Sequence, residues 1–249
     1  MEHFKFKNGL LNKCVDATYI IYLEKNEHYN NIQKQLDEYH PTDNIYILFR
    51  KSLDIVDAFL KIYKHAEKKN YNNILILEDD FIFSKKIKYV EHINNINDII
   101  NKLDDTDFIY LLGCIPYLQI PYDFNNFMVL SSDTYAAIYS KQNRINTLNQ
   151  NRMEITNESI FNNQNINKIM YYIPLCYQLF TETEDSKNSI FMYYISKIIR
   201  EIIKLFNLYK SVEPGTTIIY LITRTLSITI LLLFLIIFNI FYINYIYRI

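Results

Sequence analysis

Glycine is scarce in this chain of 249 residues, which contains only Gly9, Gly113 and Gly215. Three isolated glycines form neither a GxGxxG fingerprint nor a Walker loop, because both motifs need clustered glycines where the backbone approaches phosphate groups. If the protein binds a nucleotide, its phosphates are therefore held by some other chemistry. We expect a metal ion bound by carboxylates to take the place of the glycine-rich loop.

Paired cysteines and an excess of charge are also lacking. Cys14, Cys114 and Cys176 lie far apart and form no CxxC motif, so neither a zinc knuckle nor a disulfide framework is indicated. Reduced thiols in a cytosolic setting are the expectation. The formal net charge is -1 at pH 7, which argues against nucleic acid as a partner. All histidines lie at or before His92, so the C-terminal part offers no histidine as a metal ligand.

Residues 72–83 are the stretch around which we expect the fold to be organised. Residues 74–77, Ile-Leu-Ile-Leu, predict a buried central strand, and Glu78, Asp79 and Asp80 follow it directly. In an open α/β sheet, ligands bind at this end of the strands. Three clustered acids repel one another, and a hard divalent cation would relieve that repulsion. The alternative interpretation is a solvated acidic turn.

Strand and helix patterns alternate on both sides of this stretch and predict an α/β fold with parallel strands joined by crossover helices. The predicted strands are 17–23, 44–49, 74–77, 108–112 (ended by Gly113), 127–130, 135–139 and 168–173. The predicted helices are 29–39, 52–66, 87–103 and 142–151, and an aromatic loop is predicted between Pro116 and Pro121.

Residues 225–247 contain no charged side chain and would span ~35 Å as a helix, enough to cross a bilayer. A buried core helix is the alternative. The predicted organisation is a polar N-terminal segment (1–16), an α/β domain (17–210), a linker (211–224) and a transmembrane helix (225–247). Basic residues are more numerous before the span than after it, which predicts a C-terminal single-pass anchor with the domain on the cytoplasmic side. Residues 1–16 show no signal-peptide pattern.

The run Ile-Leu-Ile-Leu-Glu-Asp-Asp at 74–80 resembles the Leu-Glu-Asp-Asp signature of glycosyltransferase family 25. That family includes lipooligosaccharide galactosyltransferases, collagen galactosyltransferases and relatives from giant viruses. Residues 19–27 are similar to the family's first strand and polar nucleotide-base loop. Residues 174–178 and 183–186 are similar to its closing segments, so the resemblance covers about residues 17–188.

The resemblance implies a GT-A-like (Rossmann-like) nucleotide-sugar-binding domain with a mostly parallel central sheet, followed by the C-terminal transmembrane helix. The implied activity is metal-dependent transfer of a hexose from UDP-galactose or UDP-glucose to a hydroxyl group of a glycan or protein, at a membrane. Mn²⁺ or Mg²⁺ is the implied cofactor. The implied site residues are Asp80 and Glu158 (catalytic), Leu23, Glu24, Glu78 and Asp79 (donor-binding), and Asp80 with Glu78 (metal). If a third protein ligand exists, Glu182, Glu184 or Asp185 is the candidate, because the C-terminal part has no histidine; the alternative for each is a solvated acidic turn.

Two departures from the family pattern leave a second hypothesis open. The Asp that the family carries before the late strand has no clear counterpart, and Asn157-Glu158 is the nearest candidate. The family's Ser-His pair before the acidic strand has no match in residues 55–58, Ile-Val-Asp-Ala. The alternative is therefore a catalytically inactive, membrane-tethered binding or scaffold protein on a degenerate transferase fold. Release of UDP from UDP-sugars in the presence of Mn²⁺ discriminates between the two.

Overall fold

Short apolar runs form the strands and amphipathic stretches form the helices between them. The computed structural model describes residues 1–23, 29–50, 54–150, 155–156, 160, 167–178, 201, 204–205 and 212–246. Its strands are β1 (Glu2–Lys5), β2 (Ala17–Leu23), β3 (Asn44–Arg50), β4 (Asn73–Glu78), β5 (Phe81–Phe83), β6 (Phe108–Pro121), β7 (Asn126–Ser140), β8 (Asn167–Tyr171) and β9 (Cys176–Gln178). Its helices are α1 (Tyr29–Tyr39), α2 (Ile55–Lys68), α3 (Val90–Lys102), α4 (Lys141–Leu148) and α5 (Gly215–Ile246).

The central sheet has seven strands in the order β1-β3-β2-β4-β7-β6-β8. Strand β2 pairs in parallel with β3 and with β4, and β6 pairs in parallel with β8. Strands β1 and β7 run antiparallel to their neighbours. The remaining strands of this sheet therefore share one direction, and the predicted α/β fold with a mostly parallel central sheet is confirmed.

Both faces of the sheet are covered, because its central strands are apolar at successive positions. Leu75 and Leu77 of β4 belong to one core together with residues of α1 and α3. Ile74 and Ile76 face the opposite core, which contains the buried face of α2. This alternation follows from the two-residue period of a strand. A strand buried on both faces is what the continuous run 74–77 predicts.

The strand predicted to end at Gly113 continues to Pro121, so the predicted loop between the prolines is part of β6. The pairing of β6 with β7 shifts register around Gly113. A Cβ atom at Gly113 would lie 2.3 Å from the carbonyl oxygen of Cys176 and 2.4 Å from the ring of Tyr135. Glycine thus permits a close approach between β6 and the segment that precedes Gln178, and it does not end the strand.

The short strands predicted at 127–130 and 135–139 are two parts of the single strand β7. They do not pair with each other. The later part pairs with β4, and the earlier part pairs with β8, while β6 runs alongside both. The long hairpin of β6 and β7 therefore pairs with β4 at one end and with β8 at the other.

Helix α5 begins at Gly215, so most of the segment predicted as a linker is helical. Its first turns pack on β6, where the N–H of Cys114 donates to the hydroxyl of Tyr220 at 3.1 Å. Tyr220 and Ser227 are buried, and residues 228–243 are exposed throughout. Within the described residues, Gly215–Ile243 is a helix long and apolar enough to cross a membrane, and an 18-residue window in it has a mean hydropathy of 2.7.

Candidate functional site

The acidic cluster lies where β4 leaves the core. Residues 74–77 are at most 3% exposed, whereas Glu78, Asp79 and Asp80 are half-buried. A tight turn at Asp79 and Asp80 then leads into β5. The parallel pairing of β2, β3 and β4 brings their carboxyl ends to the same edge of the sheet. This edge is where open α/β sheets bind ligands.

Asp79 connects the acidic turn to the neighbouring parallel strand. Its Oδ2 accepts a hydrogen bond of 3.0 Å from the backbone N–H of Leu23, the last residue of β2. The ladder between these strands reaches the pair Ile21 and Glu78, so the contact lies just beyond the last paired residues. A hydrogen bond from a backbone N–H to a carboxylate is of the stronger, charge-assisted kind. The turn is therefore held at a fixed position relative to the end of β2.

Asp80 is oriented by a residue from the far end of the described domain. The Nε2 of Gln178 donates to Oδ2 of Asp80 at 3.0 Å. Gln178 is placed there because β9 pairs antiparallel with β5, with Gln178 opposite Phe81. The small two-stranded sheet of β5 and β9 thus acts as the support for the Asp80 carboxylate.

A pocket of about 190 Å³ opens beside the acidic turn. Helix α1 forms one wall, and Phe83 N–H donates to Oε1 of Gln35 at 2.9 Å, which fixes that wall to β5. Lys34 places an exposed cationic side chain on the same wall. The residues that line the pocket are Asn31, Lys34, Gln35, Asp79, Asp80, Phe81 and Ile82. Carboxylates, amides and one lysine are thus concentrated in one concave surface.

The thiol of Cys176 and the hydroxyl of Tyr177, which lie near the acidic turn, stay protonated. Burial raises the pKa of the Cys176 thiol, so this residue stays protonated and is a poor nucleophile. Burial also raises the pKa of Tyr177, whose hydroxyl donates to the carboxylate of Glu213 just before α5. Reactivity at this end of the sheet therefore lies with the carboxylates and not with a thiol or a phenolate.

The structure brings part of the predicted site together. Leu23, Asp79 and Asp80 lie at the same end of the sheet, and both aspartates line the pocket. Glu78 ends β4 but does not line that pocket. The other predicted residues, Glu24, Glu158, Glu182, Glu184 and Asp185, lie outside the described residues.

A metal site formed by protein side chains alone is not present in the described part of the chain. No group of three or more His, Cys, Asp or Glu residues there is arranged to hold a metal ion. Asp79 and Asp80 nevertheless offer carboxylate oxygens at one pocket wall. Mg²⁺ in nucleotide enzymes is usually held by one or two carboxylates together with substrate phosphates and water. The donor set is thus compatible with a metal that arrives with a nucleotide.

Sequence reasoning missed the contacts made by Gln35 and Gln178 and the place of Lys34 in the pocket. Gln35 lies on the apolar face of α1, and a polar residue in that position was the available signal. Gln178 was recognised as part of a closing segment, but its contact with Asp80 spans 98 residues and has no local signature. Nothing in the pattern distinguishes Lys34 from other surface lysines.

Several solved structures are similar to this chain at low identity. A197 from STIV shares 10% identity at a TM-score of 0.46, over 71% of this chain and 98% of that chain. A glycosyltransferase involved in the glycosylation of the major capsid of PBCV-1 shares 11% identity at a TM-score of 0.36, over 61% of this chain and 81% of that chain. A mannose-1-phosphate geranyltransferase from Thermus thermophilus shares 8% identity at a TM-score of 0.39, over 63% of this chain and 74% of that chain.

No protein-family model matches the sequence, and no curated protein matches it. At such low identities, shared chemistry does not follow from a similar fold.

Proposed function

We propose that this protein is a membrane-anchored glycosyltransferase. It would transfer a hexose from a nucleotide sugar, UDP-galactose or UDP-glucose, to a hydroxyl group of a glycan or protein acceptor. The observation that carries the proposal is the pocket at the carboxyl end of the parallel strands, which Asp79, Asp80 and Lys34 all line. The resemblance of residues 74–80 to glycosyltransferase family 25 gives this pocket its substrate class.

The donor-binding role follows from the chemistry of the pocket walls. Asp79 is held against the end of β2 by Leu23, which leads into the segment that contains Glu24. We assign these residues, with Glu78, to the nucleoside part of the donor. Lys34 can form ion pairs with phosphate oxygens, as lysines do in other phosphate sites. Lys34 would thus contact the phosphates in place of a glycine-rich loop, which the chain cannot form.

Asp80 is the residue that we assign to Mn²⁺ or Mg²⁺, with Glu78 as a second candidate ligand. The hydrogen bond from Gln178 orients the carboxylate of Asp80. Carboxylates that bind a metal ion are commonly oriented by hydrogen-bond partners in this way. When bound, such a metal ion neutralises the charge that develops on the leaving nucleoside diphosphate. The carboxylates themselves bind and orient the donor beside the exposed wall of α1.

The acceptor must lose a proton during transfer. A carboxylate beside its hydroxyl group is needed as a general base if the reaction inverts configuration. We propose Glu158 for this role, because the Asp that the family carries before the late strand has no clear counterpart in this chain and Asn157-Glu158 is the nearest candidate.

The anchor in this proposal is the exposed part of α5. From Ile228 to Ile246 the helix would span about 28 Å, close to the ~30 Å hydrocarbon core of a bilayer. Arg224 is the one charged residue of α5. Its guanidinium group lies 4.4 Å above the ring of Phe127, on the domain side of the exposed part. The excess of basic residues before the span supports a cytoplasmic domain.

The experiment that tests the function is calorimetric titration of UDP into the full-length protein, with and without Mn²⁺. Asp80→Asn is the test variant, because it removes one charge and keeps an oxygen that can accept from Gln178. Asp98→Asn, at an exposed carboxylate of α3, is the matched control. We expect Mn²⁺-dependent UDP binding by wild type and by the control, and its loss in Asp80→Asn with an unchanged melting temperature.

Two results would contradict this assignment. One is UDP binding by wild type that does not depend on Mn²⁺. The other is binding by Asp80→Asn as tight as that of wild type. A test variant that fails to fold, beside a folded control, would show that Asp80 is a structural residue.

A catalytically inactive, membrane-tethered binding protein is the second candidate. The observation that favours it is the missing Ser-His pair before the acidic strand, where residues 55–58 are Ile-Val-Asp-Ala. Incubation with UDP-galactose and UDP-glucose in the presence of Mn²⁺ separates the candidates. The transferase releases UDP, faster when a suitable acceptor is present, whereas the binding protein takes up UDP-sugar and leaves it intact.

A further inference from the structure

The end of the β6–β7 hairpin carries a group of exposed apolar side chains, which we call the hairpin patch. Its members and their exposed fractions are Ile120 (40%), Tyr122 (39%), Phe124 (102%), Met128 (42%) and Leu130 (57%). Phe124, in the turn between the strands, is thus fully open to solvent. Clustered exposure of this kind marks a surface that contacts a partner or a membrane.

The two faces of the hairpin differ in a regular way. Ile120 and Met128 are cross-strand neighbours, and the patch follows the two-residue period of both strands on the outer face. On the inner face, Gln119, Phe127 and Val129 are at most 9% exposed. The inner face is covered in part by α5, since the N–H of Gln119 donates to the hydroxyl of Ser227 at 2.9 Å. The hairpin therefore lies between α5 and solvent.

Helix α5 runs toward the turn of this hairpin. Its contacts with β6 advance from Tyr220 at Cys114 to Ser227 at Gln119, so helix and strand progress in the same sense. Ser227 is the last buried residue of the helix within its described part, and the exposed apolar part follows at once. Beyond Gln119, β6 continues only to Pro121 and the turn. The hairpin turn thus lies next to the point where α5 leaves the protein surface.

The polar groups near the turn suit the boundary of a bilayer. Asp123 directs its carboxylate inward, where Oδ1 accepts from the N–H of Asn125 and from Nδ2 of Asn126, both at 2.8 Å. The ammonium group of Lys102 lies 5.6 Å from the ring centroid of Tyr122. Tyrosine at the interface and a lysine that reaches toward headgroup phosphates are typical of membrane-facing surfaces.

We propose that the hairpin patch inserts into the interfacial layer of the same bilayer that α5 crosses. The inference rests on the proposed membrane span and adds a second contact between domain and lipid. Two attachment points prevent free rotation of the domain about the helix axis. The pocket at Asp79 and Asp80 is then held in one orientation relative to the membrane.

The absence of tryptophan from the sequence allows a direct test, because each introduced tryptophan is the sole such reporter. Three full-length variants are compared in nanodiscs of phosphatidylcholine and phosphatidylserine. Phe124→Trp reports on the patch, and Phe234→Trp, 67% exposed in α5, reports on the span. Lys5→Trp is the matched control, since β1 is at the opposite edge of the sheet from β8. Each replaces an exposed side chain, so none disturbs a packed core.

We expect the emission of Phe124→Trp and Phe234→Trp to shift to shorter wavelength and to lose intensity when brominated phospholipids replace ordinary ones. Emission from Lys5→Trp should remain at long wavelength and should not be quenched by those lipids. Quenching of Phe124→Trp should also increase when the bromine atoms are placed close to the headgroup, because the proposed depth is interfacial.

The outcomes separate the inference from the proposal on which it depends. Quenching of Phe234→Trp without quenching of Phe124→Trp would overturn the inference and leave the span in place. Emission of Phe124→Trp that shifts but is not quenched by brominated lipid would indicate cover by protein, such as a second copy, and would also overturn it. No quenching of Phe234→Trp would overturn the span itself and the inference with it.

Discussion

Asp79 accepts a hydrogen bond from the backbone N–H of Leu23 at 3.0 Å, and the contact joins the ends of two neighbouring parallel strands. Both residues belong to the donor-binding set that the family resemblance implies, and the contact places them side by side at one end of the sheet. A carboxylate that is fixed by a backbone group presents its remaining oxygen in a defined direction. The acidic turn is therefore ordered before any ligand binds.

The first prediction concerns this hydrogen bond. Asp79→Ala should lower the free energy of unfolding by about 1 kcal/mol, because it leaves the half-buried N–H of Leu23 without its acceptor. Asp79→Asn keeps an amide oxygen in the same place and should lie close to wild type. The measurement is thermal melting of the full-length variants in matched nanodiscs, with Asp98→Ala as an exposed control. Equal losses in Asp79→Ala and Asp79→Asn would show that charge, and not the hydrogen bond, stabilises the turn.

Local patterns were sufficient to predict β2, α1 and β4, but not β1, which lies in the segment predicted as a polar N-terminus and pairs with β3, nor β5. The limits of β2 and α1 agree with the sequence prediction, because each is a continuous apolar or amphipathic segment bounded by polar residues. Strand β4 is one residue longer at each end than predicted. Its acidic end could be predicted as a candidate site because ligands bind at the carboxyl ends of the strands in open α/β sheets.

The second half depended on contacts between distant parts of the chain. The local pattern around Gly113 predicts the end of a strand. In the structure, the missing side chain allows the backbone of Cys176 to lie close to β6. The packing of Tyr220 and Ser227 on β6 extends α5 back toward Gly215, although the composition alone marks only the uncharged run. Such contacts fix where an element begins or ends, and no window of sequence contains them.

The second prediction concerns Arg144, whose side chain is 0% exposed. Its Nη2 lies 2.9 Å from Oε1 of Glu67, and its Nη1 donates to the carbonyl oxygens of Asn72 and Tyr139 at 3.0 and 3.2 Å. These contacts join α4 to the end of α2 and to the start of β4. Arg144→Met should destabilise the protein by about 3 kcal/mol or more, since it leaves a partly buried carboxylate and several carbonyls without donors. Chemical denaturation monitored by near-UV circular dichroism measures the change.

The control for Arg144 is an ion pair of the same type on the surface. Lys88 and Glu38 lie 3.1 Å apart, and their side chains are 41% and 49% exposed. Lys88→Met should leave the unfolding transition unchanged, because water solvates the remaining carboxylate. A similar effect from both substitutions would mean that burial does not distinguish these pairs. If the change in Arg144→Met is small, the carbonyls of Asn72 and Tyr139 have found other donors.

The last prediction is a loss of stability at mildly acidic pH that depends on His92. Its Nδ1 lies 2.9 Å from the hydroxyl of Tyr171, and that hydroxyl accepts from Nδ2 of Asn95 at 3.0 Å. Burial raises the pKa of Tyr171 to about 12, so its proton is available to donate to an uncharged His92. Burial is also the main cause that lowers the pKa of His92 below its ordinary value of 6.5.

The sign of the pH dependence follows from that lowered pKa of His92. The contribution of uncharged His92 to stability should be complete above the ordinary pKa of histidine in the unfolded chain. It should be lost as the pH falls from that value to the lowered pKa of the folded state, because the unfolded chain binds the proton more readily in this range. His92→Gln keeps an acceptor and does not titrate, so its melting temperature should fall less than that of wild type between roughly pH 7 and pH 5. His65 also has a lowered pKa, chiefly from burial, and its Nδ1 lies 2.8 Å from the Tyr19 hydroxyl. The melting temperature of the double variant His65→Gln/His92→Gln should therefore depend on pH even less than that of His92→Gln. Melting curves of wild type, the single variant and the double variant across this range decide the matter, and a single variant with the wild-type slope would exclude His92 as the group responsible.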